Sequence, residues 1–319
     1  MDRNLALELV RATEAGALAA GRLMGRGDPR QADATAFEAM HRALDSIKMR
    51  ARIAVGRPSL SGDQGLMRGV LMGTEGDGPL LDLALDPIES LDSVAAGRPN
   101  ALCVVAANGE NTFMPVAGLY MEKIAVGPEA AGKIDLDASP LENLVNVASA
   151  KRCYVEDLTV SILDRERHAD LIRAVREAGA RIQLIPDGDV SSAIATAIGD
   201  SGVDVMMGIG SAQAAVLSAA ALACVGGDIQ CRFVPMQAGE QERIKELTGG
   251  QPRRRLSLKD LVGDGSVMVA ATGITGGDIL QGVHFRKGGA TTHSVVMRHR
   301  SGTIRFIHAS HYFERKPKY

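Results

Sequence analysis

Two carboxylates, Asp86 and Glu89, fall within one short stretch, Leu81-Asp82-Leu83-Ala84-Leu85-Asp86-Pro87-Ile88-Glu89-Ser90. Clustered oxygen ligands of this kind hold hard cations, and Mg²⁺ commonly joins one or two carboxylates to substrate phosphates. A solvated acidic turn is the alternative. The apolar run that leads into the pair, and Asp82 just before it, favour a metal site. Leu81, Leu83 and Leu85 alternate with Asp82 and Ala84, which is the period of a strand. Proline gives no N–H to a ladder and disfavours helix at the residue before it. The strand is therefore expected to stop at Asp86-Pro87, with Asp86 at its end.

Other elements must carry that strand end. Residues 4–25 have the spacing of an amphipathic helix, and Gly25-Arg26-Gly27-Asp28-Pro29 ends it. A second helix is expected over 31–49, with Asp33 in its first turn, where a carboxylate suits the helix dipole. Strands are expected at 53–56, 66–72, 102–107 and 120–127. Asn108-Gly109 reads as a hairpin turn, with 113–116 pairing back. To this point the sheet reads as mainly antiparallel. The middle then alternates: strand 158–163, helix 168–178, strand 181–186, helix 190–198, strand 204–208, and an Ala-rich helix 211–224. That βαβαβα order implies parallel pairing with right-handed crossovers. Ligands then sit beyond the carboxyl ends of the strands, where Asp187-Gly188-Asp189 and Gly208-Ile209-Gly210-Ser211 fall. Residues 240–262 read as helical around the basic run Arg253-Arg254-Arg255, and strands at 267–271, 293–298 and 303–308 close the chain. The division expected is an N-terminal subdomain over 1–155 and an α/β subdomain over 156–319.

Composition removes several function classes. The 319 residues carry a formal net charge of −2, no Trp, 4 Tyr and 6 Phe. Neither a basic field for nucleic acid or anionic membrane nor an aromatic stacking platform is present. Cys103, Cys153, Cys224 and Cys231 have neither zinc nor disulfide spacing, so the cytosol is the expected compartment. Met1-Asp2-Arg3-Asn4 opens a helix pattern without the apolar core of a signal peptide, and no apolar run is long enough to span a membrane.

Taken in order, the motifs resemble the class II fructose-1,6-bisphosphatases, over nearly the whole length. The carriers are Gly25-Arg26-Gly27-Asp28, Ala32-Asp33, Leu85-Asp86-Pro87-Ile88-Glu89, Asn100-Ala101-Leu102, Tyr120-Met121-Glu122-Lys123 and Val126-Gly127-Pro128. Arg167-His168, Ile185-Pro186-Asp187-Gly188-Asp189, Gly208-Ile209-Gly210, Ala271-Thr272-Gly273-Ile274-Thr275 and His311-Tyr312 follow. The resemblance implies an α/β fold: the layered αβαβα sugar-phosphatase architecture shared with inositol monophosphatase-type enzymes, with a mixed N-terminal sheet and a parallel βαβ C-terminal region. It implies Mg²⁺- or Mn²⁺-dependent release of the 1-phosphate of fructose 1,6-bisphosphate in gluconeogenesis or Calvin-type carbon metabolism. The metals would neutralise phosphoryl oxygens and acidify an attacking water. The metal-binding carboxylates of the family match Asp33, Asp86 and Glu89. The sugar-phosphate contacts match Tyr120, Arg167, His168, Asp187, Gly188 and Asp189, with Gly210 nearby and Glu89 and Ser90 on the same rim. Arg167 suits a phosphate because its planar fork binds bidentately.

The departures are as specific. Where the family reads G-E-G-E-x-D-E-A-P, this chain has Gly56-Arg57-Pro58-Ser59-Leu60-Ser61-Gly62-Asp63-Gln64, so a metal-ligand Glu is Arg57. The family's Gly-Thr after D-P-I-E is Ser90-Leu91, which removes the water-orienting Thr. The Glu of G-I-G-G-A-P-E-G is Ala214. Two readings stay open. One is an enzyme in which Asp86 acts with Ser90 in place of the missing Thr, and Asp63 or Asp82 replaces a lost ligand. The other is a catalytically silent sugar-phosphate-binding or regulatory protein, needing no metal, with Arg57 in a cation's place or pointing into solvent. The expected partners are a sugar phosphate, further copies of the chain in a dimer or tetramer, and an active paralog in a hetero-oligomer.

Overall fold

The computed structural model describes residues 4–74, 80–116 and 118–315; the N-terminal reading at Met1, Asp2 and Arg3 lies outside them. The chain forms two compact units, residues 1–113 with 264–319, and residues 114–263. In the first, α1 (Leu5–Gly21) and α2 (Pro29–Asp45) come before any strand. Asp28 caps α2 by accepting the Gln31 N–H at 2.9 Å, and Pro29 takes the first helical position, where no donor is lost. Then follow β1 (Ala51–Val55), β2 (Leu71–Met72), β3 (Leu81–Glu89), α3 (Leu91–Ala96) and β4 (Leu102–Gly109).

The second unit holds β5 (Tyr120–Val126), α4 (Pro140–Lys151), β6 (Thr159–Leu163), α5 (Ala169–Glu177), β7 (Arg181–Ile185), α6 (Asp189–Ala195) and β8 (Val205–Ser211). It continues through α7 (Ala212–Val225), β9 (Asp228–Val234), α8 (Glu240–Leu247), β10 (Leu256–Ser257) and α9 (Leu258–Val262). The chain returns to the first unit with β11 (Met268–Gly273), β12 (His284–Arg286), β13 (Gly289–Arg298) and β14 (Thr303–Tyr312).

The fold is mixed α/β with two mixed sheets. The first sheet has the order β12-β13-β11-β4-β3-β1-β2, with β14 on β13; β1 and β3 are parallel and the other pairs antiparallel. Its core joins Leu9, Phe37, Met40 and Leu44 of the two N-terminal helices to Ile53, Leu83, Leu85, Cys103 and Val105 of the strands. The second sheet has the order β10-β9-β5-β8-β6-β7. The expected parallel set is present as β6, β7 and β8, while β5, β9 and β10 pair antiparallel. Among the described residues no helix is long and apolar enough to cross a membrane.

Several expectations are corrected. The strand through Asp86 does not stop at Pro87. It runs on to Glu89, and its register against β4 slips between Asp86↔Val104 and Glu89↔Leu102. One extra residue on β3 makes this a bulge, which accommodates a residue with no N–H to give. Asn108-Gly109 is not a hairpin turn: Asn108 pairs with Asp82, Gly109 pairs with Leu81, and 113–116 form no strand. The second edge of β4 is taken by β11 instead. Leu102 to Ala107 are all buried, so β4 needs neighbours on both sides, and the closing strands belong to the first sheet. For the same reason the units do not divide at 155/156, and β5 belongs to the second sheet. Only Leu71–Met72 of the strand expected at 66–72 forms. The helix expected over 240–262 breaks at Gly249 and Gly250, both with positive φ, into α8, β10 and α9.

Candidate functional site

The first unit gathers the D-P-I-E carboxylates. Asp33 lies on α2 with its side chain fully buried, and Asp86 precedes the β3 bulge. Arg57 follows β1 and reaches both. Its Nη2 donates to Asp33 Oδ1 at 2.5 Å and to Asp86 Oδ1 at 3.4 Å, and its Nη1 donates to the Pro58 carbonyl at 3.2 Å. Asp33 Oδ2 accepts the Leu60 N–H at 2.6 Å, and Asp86 Oδ1 accepts the Ile88 N–H at 3.2 Å. Burial opposes the Arg57 charge, but the fields of Asp86 and Asp33 and their hydrogen bonds outweigh it, raising the guanidinium above its ordinary pKa. Glu89 is buried at the end of β3.

Ser90 holds a left-handed backbone, with φ +76° and ψ +55°, and its Oγ donates to Ser93 Oγ at 2.8 Å. That conformation is natural for glycine and strained for serine. The hydroxyl proposed as a water-orienting group is thus engaged at the start of α3. Leu91 packs on the core of this unit. The two substitute ligands are also engaged. Asp82 is 1% exposed and paired with Arg52 at 2.7 Å, while Asp63 accepts the Gly65 N–H at 2.8 Å in an exposed turn.

These residues do not fit a divalent cation. Mg²⁺ and Mn²⁺ need carboxylate lone pairs directed at one point, whereas Oδ1 of Asp33 and Oδ1 of Asp86 are both directed at a guanidinium. Among the described residues, no group of three or more His, Cys, Asp and Glu side chains is arranged to hold a metal.

The second unit gathers the other expected contacts at the ends of β5, β6, β7 and β8. Arg167 donates from Nε and Nη2 to the Ile209 carbonyl, at 3.2 and 2.8 Å, and its guanidinium lies 5.8 Å from the Tyr120 ring centroid. The Gly188 N–H donates to Asp187 Oδ1 at 3.1 Å, and Gly188 precedes α6 with φ +96°. His168 is buried, and its Nε2 accepts the Ile209 N–H at 2.7 Å. Nδ1 therefore carries the proton and donates to the Leu163 carbonyl at 2.7 Å. Both ring nitrogens are committed to backbone, so His168 fixes the strand ends rather than reaching for a sugar. Burial, with Arg167 and Arg165 nearby, holds its pKa below the ordinary value, against the hydrogen bond to Leu163.

Asp189 is ion-paired with Lys123, which is 2% exposed and also donates to the Ser211 carbonyl at 3.1 Å. A side chain at Gly210 would place Cβ 2.1 Å from Asp189 Oδ2 and 2.9 Å from Lys123 Nζ. The sequence reading gave Lys123 no role; the available signal was a lysine inside the apolar alternation Met121, Lys123, Ala125. Ala214 is buried in the first turn of α7, where its N–H donates to Ser211 Oγ at 3.0 Å. Arg254 and Arg255 are spent on Asp260 and Asp135. A cavity of about 230 Å³ opens beside Arg167, between Glu122, Asn143 and Leu171.

The sequence profile of bacterial, glpX-encoded fructose-1,6-bisphosphatase matches residues 3–311. The chain belongs to the class II fructose-1,6-bisphosphatase family. It is 38% identical over 334 residues to a D-fructose 1,6-bisphosphatase class 2/sedoheptulose 1,7-bisphosphatase of Synechococcus sp. strain JA-3-3Ab, covering 98% of this chain and 96% of that protein. It is 38% identical over 326 residues to the fructose-1,6-bisphosphatase class 2 of Haemophilus influenzae, covering 98% of each. This member of the class II family is therefore related to phosphatases over nearly its whole length, while Arg57 is paired with both Asp33 and Asp86.

Proposed function

We propose that this member of the class II family binds a sugar bisphosphate, fructose 1,6-bisphosphate or a close analogue, and no longer runs the family's Mg²⁺- or Mn²⁺-dependent hydrolysis. The single observation behind this is the Arg57 guanidinium between Asp33 and Asp86. An internal cation supplies the positive charge that the carboxylates need, but it has no open coordination position and cannot acidify a water as a bound metal does. Leu91 and Ala214, where relatives' patterns have Thr and Glu, remove two further groups. The substrate rim around Tyr120, Arg167, Asp187 and Gly188 keeps its residue types and supports retained binding. In this reading the protein acts as a sugar-phosphate sensor or as a subunit beside an active paralog.

Phosphate release from fructose 1,6-bisphosphate with Mg²⁺ or Mn²⁺ tests the loss of hydrolysis, and calorimetry with the bisphosphate tests binding. Expected are no turnover above background and a measurable heat of binding. The triple reversion Arg57→Glu, Leu91→Thr, Ala214→Glu should restore metal binding. A second reading, retained family hydrolysis, is favoured by the survival of Asp86 and the buried Glu89. Turnover at ordinary phosphatase rates that is abolished by Asp86→Ala would select it and end the first.

A further inference from the structure

A lysine sits inside the apolar row of a central strand. Met121, Lys123 and Ala125 share one face of β5, and Lys123 is 2% exposed. Its partners in register are Gly208 of β8 and Cys231 of β9, both buried. Lysine is almost never buried to this degree without a partner. The partner is Asp189, the first residue of α6, and the Ser211 carbonyl accepts from Lys123 Nζ as well, at 3.1 Å. Asp189 belongs to a distant part of the sheet, since β8 and β6 both lie between β5 and β7, the strand before α6. Residues directly opposite in an antiparallel pair share a face, so β8 presents Gly210 and Gly208 beside Met121 and Lys123. Without a side chain at Gly210 the two charges can meet there: a Cβ would lie 2.1 Å from Asp189 Oδ2.

Stability alone does not account for this pair, because apolar residues in the place of a buried ion pair are often no less stable. What the pair supplies is an ionised carboxylate held next to Asp187 and Gly188. Lys123 occupies its Oδ2. Among the described residues Asp189 Oδ1 accepts no hydrogen bond, and the side chain keeps 10% exposure. An ionised carboxylate accepts hydrogen bonds and donates none. It therefore repels a phosphoryl group and suits a hydroxyl, whereas the guanidinium of Arg167 suits the phosphate.

We propose, resting on the sugar-bisphosphate reading above, that Lys123 is a positioning residue for ligand choice. It holds Asp189 so that Oδ1 accepts a sugar hydroxyl, and the rim then prefers a sugar bisphosphate to a bisphosphate without hydroxyls. With 1% of its side chain exposed, Lys123 acts through Asp189 and not on the ligand itself. A site built to pair a hydroxyl discriminates against an analogue that lacks it, because its polar group is then left unpaired.

Calorimetric titration of the full chain with fructose 1,6-bisphosphate and with hexane-1,6-diol bisphosphate, which carries both phosphates and no free hydroxyl, tests this. The parent should favour the sugar roughly 10- to 100-fold, the range for a hydrogen bond to a charged group. Lys123→Met should lose most of that preference by weakening the sugar alone, with the affinity for the hydroxyl-free ligand unchanged. A merely structural role would weaken both ligands alike, and that result overturns the proposal, as does a parent without the preference. If Lys123→Met misfolds, the double variant Lys123→Met, Asp189→Asn leaves no buried charge unpaired and decides by the same ratio: preference lost supports the proposal and preference kept overturns it. A parent that binds neither ligand refutes the sugar-bisphosphate reading and this inference with it. A parent that binds the sugar, beside a Lys123→Met protein of equal preference, refutes this inference alone.

Discussion

Replacing Arg57 by Gln removes the cation and leaves its two carboxylates facing each other. Asp33 is fully buried and keeps the Leu60 N–H as a hydrogen-bond donor when Arg57 is lost. Breaking one partner from a buried pair costs roughly 3–5 kcal/mol, and a unit pair ~4 Å apart at an effective dielectric near 20 is worth about 4 kcal/mol. Arg57 is itself 26% exposed, so water and salt soften the loss, and about 3 kcal/mol is expected. At roughly 2–4 °C per kcal/mol for a unit of this size, the first unit should melt roughly 6–12 °C lower. The variant also has the carboxylate site that the parent lacks. A ligand at a hundred times its Kd returns ~2.7 kcal/mol, so millimolar Mn²⁺ should recover most of the lost Tm in Arg57→Gln and leave the parent unmoved. Calorimetric melting of both proteins, with Mn²⁺ and with EDTA, measures this. A variant within 1 °C of the parent (~0.5 kcal/mol or less), or a parent stabilised by Mn²⁺ as much as the variant, would refute the idea that Arg57 stands in for a cation.

Further outcomes follow from the second unit and the cysteines. Gly210→Ala drives a methyl into the Lys123–Asp189 pair and should cost about 3–5 kcal/mol, the range for disrupting a buried ion pair; urea unfolding measures it. His168 has a depressed folded pKa, so below about pH 6.5 the unfolded chain takes up its proton first and stability falls with acidification. Urea unfolding between pH 7.5 and 5 should show a shallower acid slope in His168→Gln, leaving the part due to His293, whose pKa burial and His308 also depress. Burial raises the Cys103 thiol and pushes Cys231 up to about 12, and Cys224 is buried too. A thiol reagent should therefore label Cys153 first in the native protein and all four cysteines only after unfolding.

The helices and the parallel set were legible because their signals are local. Leu5, Leu9, Ala17 and Ala20 carry a helical period, and Asp28-Pro29 marks a cap. What was not legible depended on partners distant in sequence. Nothing near Asn108-Gly109 says that its strand continues; that follows from Asp82 and Leu81 lying opposite. Pro87 reads as a stop until the bulge against Val104 and Leu102 is known. Motif matching found Asp33, Arg57, Asp86 and Glu89 but could not say where the guanidinium points, because its two partners come from α2 and β3. Lys123 escaped for a related reason: its charge makes sense only beside Asp189.

The pairing of β4 with β11 has a consequence for synthesis. Ala107 meets Met268 across that ladder, and the whole second unit is translated between them. At roughly 5–20 residues per second, the uncovered edge of β4 waits on the order of ten seconds on a ribosome before its neighbour emerges. Leu102-Cys103-Val104-Val105-Ala106-Ala107 is apolar and uncharged throughout, so during that interval it is an unpaired apolar strand edge open to misassembly. Slowing codons placed within the second unit should lower soluble yield, and the same codons placed after β11 should not.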